Sequence, residues 1–368
     1  MPWPTTTRRG ALRAAGAALG VGLAGCVGGT GGSGGSGATG TPADPTDVSV
    51  ILNWKPNATQ AGYFVADRNG FYAEEGLSVD LVSGQGGSFA AKQVGLGNQD
   101  VGLGTGIALL QARNRDLDVR AYAAAQDSNA VIYTVEEQFG GRLTDPSQLA
   151  GKRVAVVTES AKTFSYLKML LAQEGIGEEV ELVSVGVEQQ TSHLLSGNVD
   201  AAVGIFSDPL GLDAEGYEAS MLWLADYTPS IGRTVFTRPG YAAEHPDVVR
   251  GFLRGTARGW AWASNHPEGA MDRMVEARES LSKSRDIGLL KLKYTAKNLV
   301  LTETVRNHGW GYQRGDAWER VVSNLVEGDV IGDGGSAASA WSNEYVDSEA
   351  EYVGDYAAQV SVDYDLPV

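Results

Sequence analysis

The residues best suited to chemistry in this chain lie in loops at the carboxyl ends of its predicted strands, and their types suit recognition better than bond-breaking. After the first strand come Asn53-Trp54-Lys55-Pro56-Asn57 and then Gln60. Ser83–Ser88, with Gly86, Gly87 and Ser88, follows the second strand. Thr105-Gly106 and Gln126–Asn129, with Ser128 and Asn129, complete the first set. A second set holds Thr158-Glu159-Ser160-Ala161 and Phe206-Ser207-Asp208. Open α/β sheets bind ligands at such loops. Trp54 and Phe206 could stack on a flat ring, since aromatic faces need no unique hydrogen-bond pattern; Trp54 reads equally as a half-buried turn residue and Phe206 as core. Glu159 and Asp208 could accept hydrogen bonds from a ligand amine, or simply cap helices. Backbone N–H groups at Ser88 and at 160–163 start helices, where an anion or a ring acceptor finds free donors.

Motifs of catalysis are missing or misplaced. Gly20-Val-Gly22-Leu-Ala-Gly25 matches the dinucleotide fingerprint but has no strand before it and no acid at the required distance. Gly84-Gln-Gly86-Gly87 follows a strand, yet its sixth position is Phe89, and Gly151-Lys152 leads into Arg153 rather than a hydroxyl residue. No Gly-x-Ser-x-Gly elbow occurs. His193, His245, His266 and His308 lack ligand spacing, and one cysteine cannot build a cluster, so neither metal nor cofactor is expected. The acid pairs Glu74-Glu75 and Glu136-Glu137 read as solvated loop charges.

Elements that could position these loops alternate regularly. Strands are predicted at 48–52, 77–82, 153–157, 180–185 and 201–205, and a small-residue strand-to-turn segment at 102–107. Helices are expected at 61–68, from a Ser88 cap to Val94, from 160 to 174 and up to Ser196. This alternation predicts parallel sheets with helices on both faces. Beyond Gly240, Pro246 and Pro267 each open a helix, with further helices at 279–307 and 316–327. An internal echo divides the body: a strand ending in Val-Ser, a helix, then Gly97-Asn98-Gln99-Asp100 recurs with Gly197-Asn198-Val199-Asp200. Two similar lobes follow from it.

The amino terminus reads as an address. Arg8-Arg9 precedes a short apolar stretch from Ala14 to Ala24, and Leu23-Ala24-Gly25-Cys26 ends it like a lipid-attachment box. Residues 1–26 are thus expected to be a twin-arginine lipoprotein signal with Cys26 as lipid anchor. Residues 27–46, rich in Gly, Ser and Thr, would be a flexible tether. The whole chain carries −16; without Arg8, Arg9 and Arg13 the remainder carries −19. So acidic a surface excludes nucleic acid as a partner and suits a halophilic habitat, where salt screens self-repulsion.

The stretch Ile51-Leu-Asn-Trp54-Lys-Pro-Asn57-Ala-Thr-Gln60-Ala-Gly62-Tyr-Phe-Val-Ala66, followed by Gly70-Phe-Tyr-Ala-Glu-Glu-Gly76-Leu-Ser-Val79, resembles the thiamine-pyrimidine precursor-binding proteins. These sit within the taurine-, sulfonate- and nitrate-type solute-binding proteins of ABC importers. Leu149-Ala-Gly-Lys-Arg-Val154, His308-Gly-Trp310 with Trp318, and Trp341-Ser-Asn343-Glu344-Tyr345 carry the same resemblance. It implies an α/β, two-lobed periplasmic-binding-protein type II fold, each lobe a mostly parallel sheet flanked by helices, with a helical C-terminal extension. Lobe 1 would comprise 47–130 and 236–368, and lobe 2 131–235, hinged around Asn129–Tyr133 and Arg233–Thr237.

The resemblance also implies function. A non-enzymatic protein, held outside the membrane by Cys26, would close on a thiamine pyrimidine precursor and hand it to an ABC permease and its ATPase. It supports Trp54, Asn57, Ser128, Asn129 and the Ser160 helix start as ligand contacts. Gln60 departs from the family's usual histidine, and Ile205-Phe-Ser-Asp-Pro209 only loosely follows its pattern. Riboflavin and small anions such as alkanesulfonates or nitrate are the alternative ligands. The rivals are a pyrimidine-synthase-like enzyme of the same fold, whose fungal members use a histidine and a cysteine-rich iron site, and a surface-tethered adhesin.

Overall fold

The first strand follows directly from its sequence: Val48 and Val50 alternate with polar neighbours and turn inward, as a pleated segment requires. The computed structural model describes residues 44–366, apart from 158–160, 187, 229, 328–329 and 333–336. The signal stretch with Cys26, most of the tether, and Glu159 and Ser160 therefore lie outside the described residues.

Two five-stranded sheets share one plan. The first contains β1 (Thr46–Ile51), β2 (Leu77–Val82), β3 (Val101–Thr105) and β4 (Arg120–Gln126). The second contains β5 (Ala130–Val135), β6 (Arg153–Val156), β7 (Glu181–Ser184), β8 (Ala201–Ile205) and β9 (Ala219–Trp223). A last strand, β10 (Arg233–Thr237), returns to the first sheet. The orders are β2-β1-β3-β10-β4 and β7-β6-β8-β5-β9. In each, three strands run parallel, and one antiparallel strand separates them from the edge. That odd strand, β5 or β10, is the first one laid down after the chain changes sheets.

The segments expected to act as hinges, 129–133 and 233–237, are therefore mostly these antiparallel strands. The passages between sheets lie just before them, between Gln126 and Ala130 and between Trp223 and Arg233. A third link braces the first passage, where the Asp127 N–H donates to the Leu299 carbonyl at 2.7 Å.

The echo in the sequence marks equivalent joints. Gly97 and Gly197 both take positive φ, 78° and 70°, a conformation that glycine reaches without cost and that ends each helix. Asp100 Oδ2 then accepts the N–H of Ser49 at 2.9 Å, and Asp200 Oδ2 that of Arg153 at 2.8 Å. Each aspartate thus pins the strand about which its sheet is built.

Helices cover the sheets. The Pro246–Asn265 helix buries Val249, Phe252, Leu253, Ala257 and Trp260 along one stripe against the Ala61–Arg68 helix. The two approach closely because Gly259 faces Gly62: a Cβ on Gly259 would lie 2.1 Å from the Gly62 carbonyl oxygen.

Two expectations are corrected here. Ser88 is not a cap: the helix runs Gly87–Gly95 with Gly86 at its cap position and no side-chain cap bond. The predicted helix over 279–307 is broken into a 3₁₀ turn, an α-helix at Arg285–Tyr294, a π-helical stretch at Thr295–Val300 and a separate helix at Glu303–His308. The break falls where the Leu299 carbonyl turns to meet Asp127.

Candidate functional site

Parallel strands leave their carboxyl ends on one edge, and the antiparallel newcomer adds its amino end there. On the first sheet this edge collects the loop after β1, the Gly87–Gly95 helix start, Thr105 and Arg233; the register sets Arg233 opposite both Thr105 and Gln126. On the second it collects Asn129 and Phe206, whose N–H donates to the Asn129 carbonyl at 3.1 Å.

The loop after β1 is the most ordered of these. Asn57 caps a 3₁₀ turn over Ala58–Gln60, with Oδ1 accepting from the Thr59 N–H at 3.1 Å and Oγ1 at 2.7 Å. Gln60 closes the box: its Oε1 accepts the Asn57 N–H at 3.1 Å, and its Nε2 donates to Asn53 Oδ1 at 3.0 Å. Gln60 is completely buried. The expectation that it touches ligand is corrected, because both ends of its amide are spent inside the loop. Trp54, on the outside of the same loop, is 36% exposed.

Beneath the loop lie Gln126, which opens the predicted 126–129 loop, and Arg233, which the sequence places in a hinge and not at the site. Gln126 Nε2 donates to the Thr59 carbonyl at 2.7 Å. Arg233 Nη1 donates to that same oxygen at 2.6 Å, and its Nη2 to Thr59 Oγ1 at 3.1 Å. Arg233 is only 7% exposed and makes no salt bridge among the described residues. Burial pulls its pKa down to about 10, against a smaller upward pull from Tyr63. A single arginine inside the small and apolar run around Ile231–Phe236 was the signal that could have identified it.

Other expected contacts are engaged by the protein itself. Thr105 Oγ1 accepts the Ala108 N–H at 3.4 Å as a helix cap, and Gly106 donates to the Ile231 carbonyl at the second passage. Ser128 is buried, and its N–H bonds to Asp127 Oδ1 at 2.6 Å. Ser88 is exposed beside Gly86 and Gly87 at the helix start, and Ala161 begins the helix ending at Gln173.

Phe206 is corrected from stacking platform to core. It is 0% exposed and stacks on Trp223 at 5.8 Å and Tyr294 at 6.0 Å. Trp54 and Phe206 are thus not a pair of open faces. Asp208 is the second residue of the Ser207–Ala214 helix and does not cap it; its Oδ2 reaches back to accept the N–H of Ile205, the last residue of β8, at 2.8 Å. Protein crowds this carboxyl although part of the residue meets solvent, and burial raises its pKa to about 6 despite Lys291 nearby. Lys291, on the Arg285–Tyr294 helix, is itself shifted down by burial.

A cleft of about 220 Å³ opens beside the first passage, lined by Asp127, Ser230, Thr302, Tyr312, Arg314 and Trp318 among others. None of the predicted ligand contacts lines it. Burial also raises the Asp127 carboxyl, which opens towards this cleft. Among the described residues, no cluster of three His, Cys, Asp or Glu side chains could hold a metal ion, and no helix is long and apolar enough to cross a membrane.

Comparison with known proteins adds a lineage to this geometry. A sequence profile described as "NMT1/THI5 like" matches residues 57–270. The chain is 28% identical over 287 residues to a formylaminopyrimidine-binding protein of Halalkalibacterium halodurans, covering 76% of this chain and 84% of that protein. It is 23% identical to the riboflavin-binding protein RibY of Chloroflexus aurantiacus (81% and 86% covered). A 4-amino-5-hydroxymethyl-2-methylpyrimidine phosphate synthase of Legionella pneumophila is 25% identical (64% and 74%). Among solved structures, the periplasmic aliphatic sulphonate binding protein SsuA of Escherichia coli superposes with a TM-score of 0.64 at 13% identity, covering 80% of this chain and 92% of its own. At that identity the likeness concerns the fold: two lobes of the periplasmic-binding-protein type.

Proposed function

The chain belongs to the NMT1/THI5-like family, and from that premise we propose that it is the solute-binding component of an ABC importer, capturing a pyrimidine-like heteroaromatic molecule. Ligand would sit at the carboxyl-end edges of the two sheets and be held in full only when both edges contact it. Binding energy then stabilises the closed arrangement, and no covalent bond is made or broken. Trp54 supplies the stacking face, Asn57 shapes the loop that carries it, and the Gly86–Ser88 and Thr105–Gly106 helix starts line the first edge. Asn129 and the Ser160–Ala161 helix start serve from the second.

One observation carries this reading: an exposed tryptophan on a loop tied down by buried polar bonds, in a chain aligned with most of a formylaminopyrimidine-binding protein. A stacking face that is rigid before ligand arrives loses little entropy on binding. The protein would work outside the membrane, lipid-anchored through Cys26, with a permease and its ATPase as partners and an acidic surface adapted to salt.

Calorimetric titration of the purified chain with formylaminopyrimidine, hydroxymethylpyrimidine, riboflavin and an alkanesulfonate tests it. Saturable heat from a pyrimidine, with one site per chain, is the expected result; heat from the sulfonate alone would end the pyrimidine assignment. The second reading, a pyrimidine-forming enzyme, is favoured by the relatives named as synthases. Assay of product formation separates the two, and binding without turnover is expected.

A further inference from the structure

We infer that Arg233 and Gln126 are positioning residues that hold the Trp54 loop in its ligand-ready shape from the two points at which the chain changes sheets. This deepens the proposed binding role and rests on it for its functional consequence.

Both side chains end on one atom. Gln126 is the last residue of β4, before the first passage, and Arg233 the first of β10, after the second; they face each other across the sheet. Their donors meet at the Thr59 carbonyl at 2.7 and 2.6 Å, and Arg233 adds a bond to Thr59 Oγ1. From Thr59 the bonds continue to Asn57, from Asn57 to Gln60 and from Gln60 to Asn53. Trp54 lies between Asn53 and Asn57 and stays 36% exposed; these side-chain bonds, with the backbone bonds from Gly84 N–H to the Trp54 carbonyl and from Gly86 N–H to the Asn53 carbonyl, hold its loop.

The energetics point the same way. Burying a guanidinium with no carboxylate beside it is costly, and an apolar side chain would fill the space at less expense. Arginine's planar fork does what no apolar residue can: it fixes a carbonyl and a hydroxyl of one residue together. Both anchors stand on neighbouring strands of the first sheet, each beside one of the passages, so Thr59 and the Trp54 loop stay fixed to that sheet when the lobes close.

Amide hydrogen exchange on the ligand-free full chain tests this, with Arg233→Lys, Gln126→Met, Thr59→Val and Thr59→Ser. Exchange at 53–60 should rise about tenfold in the first three while β6–β8 stay as in the parent, and Thr59→Ser, which keeps the hydroxyl, should match the parent. Affinity for formylaminopyrimidine should fall by a similar factor in the same three variants. Unchanged exchange at 53–60, or an equal rise across both sheets, overturns the proposal. Should Arg233→Lys fail to fold, Gln126→Met and Thr59→Val decide it. A parent protein that binds no pyrimidine counts against the ligand reading alone, because the exchange measurement needs no ligand.

Discussion

Asp200 holds Arg153 by backbone and side chain together: Oδ2 accepts the Arg153 N–H at 2.8 Å and Nε at 3.2 Å, while Oδ1 accepts Nη2 at 2.8 Å. In the first sheet Asp100 does the same for Ser49, taking its N–H at 2.9 Å and its hydroxyl at 2.7 Å. Each joint ties a residue of a β-strand, Ser49 within β1 or Arg153 at the start of β6, to the turn that a Gly-Asn helix end delivers. The two halves thus share a construction detail as well as a strand order.

Asp100→Ala should cost about 1 kcal/mol of stability, the usual worth of such hydrogen bonds, measured by urea denaturation. An Asn at the same place keeps one acceptor and should recover part of the loss.

Two carboxylates of the second lobe should respond to acid with opposite signs. The Arg153 hydrogen bonds hold the Asp200 carboxyl below its usual pKa, so its contribution is present above about pH 4 and disappears as pH falls through the folded value. Burial raises Asp208 to about 6, so its folded state binds protons more tightly than the unfolded chain. Stability therefore declines as pH rises from about 4 to 6 on its account, and Asp208→Asn should remove that slope. Thermal midpoints from pH 3 to 8 for the parent, Asp200→Asn and Asp208→Asn check the two signs; a parent and Asp208→Asn with parallel profiles would refute the second.

Trp54→Ala should weaken pyrimidine binding by about 1–3 kcal/mol, the range for a base stacked on an aromatic ring. Because the residue is only 36% exposed, the thermal midpoint of the ligand-free protein should also fall modestly. Equal affinity by calorimetry would remove Trp54 from the site.

Gly204→Ala should destabilise the second sheet by about 1–3 kcal/mol, as overpacked sites do. A Cβ there would lie 2.1 Å from Asp208 Oδ2 and 2.9 Å from the Tyr133 ring, so the bond from Ile205 N–H to Asp208 must break or the ring must move. Combining it with Asp208→Ala should cost less than the sum of the two, since that bond can be lost only once.

Much of the fold was legible because its signals are local. The Ala61–Arg68 helix and the strands Leu77–Val82 and Ala201–Ile205 fall where hydrophobic periodicity sets them. The 279–307 stretch misled because what breaks it, a carbonyl bond from Leu299 to Asp127, joins residues far apart in sequence. The site was less legible for the same reason. Asn53–Gln60 stood out as a loop after a strand, but whether Gln60 faces a ligand or closes its own cap depends on Asn53 and Asn57 in three dimensions. Phe206 read equally as platform and core until Trp223 and Tyr294 took both roles away from solvent. Arg233 was read as part of a hinge and not of the site because its partner, the Thr59 carbonyl, is a backbone group far away in sequence, and only its isolation in an apolar run set it apart.

The strand order has a consequence for synthesis on the ribosome. All five strands of the second sheet come from the unbroken segment 130–223, whereas β10 must slot between β3 and β4, which were made long before it. The half that starts first therefore has to wait, gapped, with the Thr105 edge unpaired, until residue 237 has emerged from the exit tunnel. The half that starts second can have all five strands paired by then, so nascent chains stalled far enough along that residue 223 but not residue 237 is outside the tunnel should yield a protease-resistant fragment from the later half and none from the earlier one.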